Sequence, residues 1–354
     1  MAADEVLFER RGAAGIVTLN RPQALNALTH GMVRALAAKL ADWAEDRAVT
    51  RVIVTAAGGR AFCAGGDIRD LYELGRAGRQ PEMLAFWRDE YPLNAFIKHY
   101  PKPYVSLIDG IVMGGGVGIS VHGSHRVAGD RFVFAMPEVG IGFFPDVGAT
   151  WFLPRLPGET GTYLALTGGR LEAADAVTAG VATHRVPSAR FPDLLEGLCG
   201  TVPVDALVAA FAEPVVPGPV SLHRSAIDRL FAASSVADIL AALDRAGAGQ
   251  GGEGGEAEWG SAQAATIRGK SPTSLKVAFA QVRRGREWDF DACMRAEFRI
   301  VSRIVYGHDF YEGVRAVIVD KDGAPRWQPA TLDAVTAAAL EHHFATLPDE
   351  LRLP

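Results

Sequence analysis

Apolar positions fall into two rhythms along the first half of the chain. Short apolar runs, Val6–Arg10, Gly15–Leu19, the β-branched Arg51–Thr55, Tyr104–Ile108, Arg126–Ala128 and Phe132–Ala135, have the length of strands. Between them lie stretches with the three-to-four spacing of a helix face. The clearest follows Thr29, a side chain suited to capping a helix, and sets Met32, Leu36, Leu40 and Trp43 on one face as far as about Glu45. Ile68 to about Gly75 and Pro81 to about His99 read the same way, and Ala56–Asp67 reads as a loop. Gly110–Gly118 is glycine-rich and leads into a helix expected from about Gly115 to His122. Strands alternating with helices predict an α/β sheet with helices packed outside it.

Beyond about Pro203 the rhythm is mostly helical, over Val204–Ala212, Ser221–Ala232, Val236–Asp244, Pro272–Arg284 and Phe290–Val305. The face formed by Cys293, Phe298, Val301 and Val305 reads as core. The expected organisation is therefore a core over residues 1–205 and a mainly helical C-terminal region over residues 206–354. Within the latter, the glycine-rich run 246–256 reads as a flexible surface loop. Gly249–Gly254 matches G-x-G-x-x-G, but no strand precedes it, which argues against a dinucleotide site.

Composition narrows the classes. At 354 residues the chain buries a large core without needing a disulfide staple, and its three cysteines, Cys63, Cys199 and Cys293, are too scattered for a zinc cluster. A net charge of -5 lacks the basic footprint of a nucleic-acid binder, and no apolar run reaches the ~20 residues of a membrane helix. Met1–Arg11 carries Asp4 and Glu5 and has no apolar stretch, so neither a secretory signal nor an acid-poor mitochondrial leader is expected, and a cytoplasmic location is.

Three segments carry candidate chemistry. Arg60–Asp67 and Met113–Gly118 are glycine-rich and stand where a strand gives way to a helix. Small residues there let backbone N–H groups approach a ligand, and a helix N-terminus favours a developing anion. Two such loops giving one N–H each to a single oxygen would form an oxyanion hole; tight packing of helix on strand is the competing explanation. The third, Ala135–Gly148, holds Glu138 and Asp146 in apolar, proline-bearing surroundings that would raise a carboxyl pKa and suit acid–base or nucleophilic work. Turn capping is the commoner role of such carboxylates.

Ala61–Asp67, Ile111–Gly118 and Met136–Gly142 together resemble the three signature segments of the crotonase (enoyl-CoA hydratase/isomerase) superfamily. The resemblance implies a crotonase-like spiral of ββα units that binds acyl-CoA thioesters. It implies that the N–H groups of Gly66 and Gly115 polarise the thioester carbonyl, and that Ala64, Asp67 and Ile68 lie along the CoA moiety. Glu90–Asn94, Phe143–Gly148, Ser271–Lys276, Gly307–Ala316 and Asp320–Pro329 narrow the resemblance to the thioester-hydrolysing branch. That branch implies hydrolysis of 3-hydroxyisobutyryl-CoA or a close 3-hydroxyacyl relative, in valine catabolism. Glu138 is then the water-activating base or the nucleophile, Asp146 binds the substrate hydroxyl or carries a proton, and Glu90 faces the acyl pocket. Hydratases of the superfamily place a second glutamate where this chain has Gly118, so the alternative, an enoyl-CoA hydratase or isomerase, would lack half its apparatus. No cofactor is expected, since CoA is part of the substrate, and no metal, nucleic acid or membrane partner; the resemblance implies a homo-oligomer, a trimer or hexamer. Cys63 in the first loop reads as packing, His122, His125, His184 and His308 have no metal-ligand spacing, and Ser120 lies outside any G-x-S-x-G elbow.

Overall fold

The computed structural model describes residues 4–250 and 255–354. Among these residues ten strands form two sheets: β1 (Val6–Arg11), β2 (Ala14–Leu19), β3 (Arg51–Ala56), β4 (Ala61–Cys63), β5 (Tyr104–Ile108), β6 (Ile111–Met113), β7 (His125–Ala128), β8 (Val133–Ala135), β9 (Leu171–Glu172) and β10 (His184–Arg185). The larger sheet runs β1-β2-β3-β5-β7-β10 and the smaller β4-β6-β8-β9. The pairs β3/β4, β5/β6 and β7/β8 each give their first strand to the larger sheet and their second to the smaller. Neighbouring strands from successive pairs are parallel. Each pair must therefore turn a corner within a few residues. Gly110 makes one such corner at φ 117°, where an added Cβ would meet Arg60 O at 2.7 Å, so only glycine fits.

Among the helices that bear on the site are α1 (His30–Glu45), α2 (Ile68–Arg76), α3 (Gln80–Lys98) and α4 (Gly115–Gly118). In α1, Thr29 caps the N-terminus by accepting from Met32 N at 3.1 Å, and the stripe Met32, Leu36, Leu40 and Trp43 is buried as the spacing predicts. The helix expected to run to His122 stops at Gly118. The loop expected over Ala56–Asp67 contains β4. At three residues each, β4 and β6 are too short to show alternation, and form because each has a parallel neighbour to pair with.

The helical C-terminal region packs on the sheets through one continuous apolar core, in which Phe298 and Phe310 join Trp87, Tyr91 and Phe143. The expected helix Ser221–Ala232 is broken into Pro219–Leu222 and Arg224–Leu230. A further helix, Glu256–Arg268, was hidden by the glycine run before it. Of the loop expected at 246–256, residues 251–254 lie outside the described residues, and Ala246 and Gly247 end the helix Val236–Gly247. Among the described residues no helix is long and apolar enough to cross a membrane.

Candidate active site

Because β4, β6 and β8 are adjacent and parallel, the segments leaving their carboxyl ends meet in space: Ala64–Asp67, Gly114–Gly118 and Met136–Gly142. Ligands of parallel sheets characteristically bind at such strand ends. A cavity of about 840 Å³ opens there, lined in part by Val317, Ile318 and Lys321 of the C-terminal region. Gly66, Gly115, Glu138, Asp146, Glu90, Ala64, Asp67 and Ile68 all line it.

The first loop is clamped by its neighbours. Leu28 N donates to Gly65 O at 2.8 Å and Asp67 N to Leu28 O at 2.9 Å. Arg21 pairs with Asp67 at 3.0 Å. These bonds leave Gly66 N–H without an acceptor among the described residues. Gly115 opens α4, so its N–H has no intrahelical acceptor either. The two glycines approach closely: a Cβ on Gly115 would lie 3.4 Å from Gly66 N. An oxygen held there can accept from both amides, and the Gly115 amide adds the positive end of a helical turn.

Three carboxyls surround this point. Glu138 begins a short 3-10 turn after Pro137; burial, then the charge of Asp146, pushes its pKa well above the usual range. Its Oε1 lies 3.5 Å from where a Cβ on Gly114 would stand, and its Oε2 has no partner among the described residues. Asp146 accepts a hydrogen bond from the Tyr91 hydroxyl at 2.9 Å, and burial raises its pKa to about 7. Glu90 comes from α3. Its Oε1 has no partner among the described residues and lies 2.6 Å from the position of a Gly115 Cβ; burial, then the charges of Asp146 and Glu297, raises its pKa well above normal.

Asn94, one turn beyond Glu90, explains the vacant position on α4. A Cβ on Gly118 would meet Asn94 Nδ2 at 2.7 Å and Val147 Cβ at 2.8 Å, so no acidic side chain can stand there. Sequence reasoning assigned no part to Asn94, Tyr91 or Glu297. The signal was available: Glu90 and Asn94 interrupt the buried stripe Met83, Phe86, Trp87 and Tyr91, and Glu297 interrupts that of Cys293, Met294, Phe298 and Val301. A polar residue on an apolar helix face needs a partner or a task.

The other candidates take structural places. Cys63 Sγ donates to Gly65 O at 3.5 Å, and burial pushes its thiol up to about 12, far from a reactive thiolate. Ser120 Oγ donates back to Gly116 O at 2.7 Å. His122, lowered to about 3 chiefly by burial, is neutral and donates from Nε2 to Val147 O at 2.7 Å. Among the described residues no group of three or more His, Cys, Asp or Glu is placed to hold a metal ion. At the cavity, Arg69, Lys270 and Lys321 supply positive charge, none of it paired in a salt bridge among the described residues.

The enoyl-CoA hydratase/isomerase family model matches residues 14–344. The chain belongs to the enoyl-CoA hydratase/isomerase family. Among curated proteins, it is 45% identical to the mitochondrial 3-hydroxyisobutyryl-CoA hydrolase of Danio rerio, covering 98% of this chain and 91% of that protein. It is 43% identical to the Homo sapiens protein of the same name, over 98% and 90%. Among solved structures, a carnitinyl-CoA dehydratase from Mycobacterium thermoresistibile superposes with a TM-score of 0.91 at 43% identity, covering 99% of both chains. An enoyl-CoA hydratase from Rhodobacter sphaeroides 2.4.1 superposes at 0.90 with 38% identity, covering 99% of this chain and 100% of that one. The crotonase-like α/β fold with a helical C-terminal region is thus the family's own. The cytoplasmic expectation is overturned by the curated names, which are those of mitochondrial enzymes. That expectation rested on the charge pattern of residues 1–11, which speaks only for those residues.

Proposed function

We propose that this family member is an acyl-CoA thioester hydrolase that converts 3-hydroxyisobutyryl-CoA to 3-hydroxyisobutyrate and CoA, a step of valine breakdown. The observation that carries the reading is the distribution of acids around the paired amides. Glu138 and Asp146 are buried beside Gly66 and Gly115, while the α4 position from which a hydratase would present its second acid is sterically closed by Asn94 and Val147. The names of the curated relatives support the same substrate.

In this reading the thioester oxygen accepts from the N–H groups of Gly66 and Gly115. Negative charge gathers on that oxygen as the carbonyl carbon is attacked, where each such donor is worth about 10²–10³ in rate. In its ionised form Glu138 either takes a proton from the attacking water or attacks the carbonyl itself, giving a mixed anhydride that water then opens. Collapse of the tetrahedral species breaks the carbon–sulfur bond, and the departing thiolate receives a proton. Asp146, with a pKa near neutrality, is suited to carry that proton or to bind the 3-hydroxyl. Glu90 faces the acyl group, Ala64, Asp67 and Ile68 line the CoA path, and Arg69, Lys270 and Lys321 meet its phosphates.

The similar enoyl-CoA hydratase of Rhodobacter sphaeroides favours a second reading, addition of water to an enoyl-CoA. The test is steady-state turnover of purified protein against 3-hydroxyisobutyryl-CoA, followed by thiol release, and against crotonyl-CoA, followed by loss of enoyl absorbance. Thiol release that falls at least about 100-fold in Glu138→Gln and Asp146→Asn, with folding intact, is the expected result. Enoyl loss without thiol release, or near-normal thiol release by both variants, would overturn it. A single turnover in ¹⁸O-water separates the two roles of Glu138. Direct water attack labels the product at once; the anhydride, when opened at the Glu138 carbonyl, labels Glu138 first.

A further inference from the structure

Asp146 sits in the bend Phe144–Thr150, which makes no regular structure until its last residues and is held from outside by buried side chains. Gln281, on the helix Pro272–Gly285, donates to Pro145 O. His122 donates to Val147 O at 2.7 Å. Glu297, on the helix Phe290–Ile304, accepts Gly148 N–H on Oε2 at 2.8 Å and Thr150 N–H on Oε1 at 2.9 Å. Between these anchors Val147 adopts φ 53°. A β-branched residue in the left-handed region is costly and persists only where its surroundings over-determine the backbone.

Glu297 is the unusual member. It is fully buried, has no cationic partner among the described residues and does not line the cavity. Packing alone would be served as well by leucine or methionine, and a buried carboxyl without a counter-ion is expensive. What an apolar residue cannot do is receive two amides of one bend on two oxygens of one rigid plane. Those amides belong to residues two and four positions after Asp146. Burial raises the Glu297 pKa to about 8, and the bonds from Gly148 and Thr150 hold it below where burial would otherwise push it.

We propose that Glu297 is a positioning residue: by binding the Gly148 and Thr150 amides it fixes the bend that aims the Asp146 carboxyl at the thioester. The proposal rests on the hydrolase reading and goes beyond it, since Glu297 touches neither substrate nor oxyanion hole.

The experiment is a double-mutant cycle on the full chain, read as CoA release from 3-hydroxyisobutyryl-CoA. Glu297→Gln keeps the shape but offers one acceptor oxygen and turns an amide group toward the other N–H. A displacement of Asp146 by about 1 Å costs on the order of 10–100-fold in kcat. KM should stay within about twofold, because binding of CoA does not pass through this bend. In an Asp146→Asn background, adding Glu297→Gln should cost nothing further. A merely structural role would instead lower both backgrounds by the same factor, and that outcome, or wild-type kcat in folded Glu297→Gln, overturns the proposal. If Glu297→Gln does not fold, Glu297→Asp, one methylene short of both amides, is put through the same cycle with the same expected pattern. No thiol release by the wild-type chain would instead sink the hydrolase reading itself.

Discussion

Replacing Gly115 by alanine adds one methyl group at the centre of the proposed oxyanion hole. Its Cβ would stand 2.6 Å from Glu90 Oε1, 3.1 Å from Leu28 Cδ1 and 3.4 Å from Gly66 N. The first two are ends of flexible side chains, so the fold can absorb the group. Overpacking costs about 1–3 kcal/mol, and alanine in place of glycine in a helix returns roughly 0.5–1 kcal/mol, so a net loss of roughly 0–2.5 kcal/mol is expected. The third contact is the functional one. A carbonyl oxygen about 3 Å from both amides needs the space the methyl now occupies, and losing one donor costs about 10²–10³ in kcat, or roughly 2.7–4 kcal/mol of transition-state stabilisation. Thiol-release kinetics together with urea unfolding separate the two effects. Gly31→Ala is the control: at this exposed position of α1 the nearest atom is 3.7 Å away, so kcat should not change. Displacement of Glu90 is removed as an explanation by repeating Gly115→Ala in a Glu90→Ala background, where the fold-loss should persist. A folded Gly115→Ala enzyme with kcat within about threefold of wild type would refute the two-amide hole.

Further outcomes follow from the same geometry. Iodoacetamide at mildly alkaline pH should leave the folded enzyme active, because burial holds the Cys63 thiol at about 12; rapid inactivation with label on Cys63 would contradict this. Stability should fall as pH rises. Asp146 is raised from 3.8 to about 7 and Glu297 from 4.5 to about 8, so between those values the folded chain holds protons that the unfolded chain has released. Their stabilisation is complete below the unfolded values and is lost as pH climbs through the folded ones. Melting temperatures should therefore decline from about pH 5 to about pH 8, with a flatter slope in Asp146→Asn; a rise over that range would refute the assignment. Lys270→Ala should raise KM by about tenfold for the CoA ester and leave the pantetheine ester, which lacks the nucleotide phosphates, nearly unchanged; equal effects on both would remove Lys270 from the phosphate site.

Much of this could be read from local pattern. The stripe of α1, the β-branched runs of the larger sheet and the three segments containing Gly66, Gly115 and Glu138 are each visible within a dozen or so residues, because propensity, capping and periodicity act over that range. What stayed hidden has a common cause. The strands β4 and β6 have no pattern of their own and exist only as paired partners. The helix Glu256–Arg268 is masked by the glycines before it. Asn94 and Glu297 look like blemishes on apolar faces until the groups they meet are seen.

The sequence alone settled which residues are small, which are acidic and which turns they occupy, since those follow from side-chain chemistry and short-range backbone sterics. Only the tertiary structure decided that three strand ends far apart in the chain lie side by side. It also decided that α3, and not α4, delivers Glu90 to the second glycine loop, and that a carboxyl from the helix Phe290–Ile304 braces the Asp146 bend. These are outcomes of parallel pairing and core packing between distant segments, whose energies no local window contains.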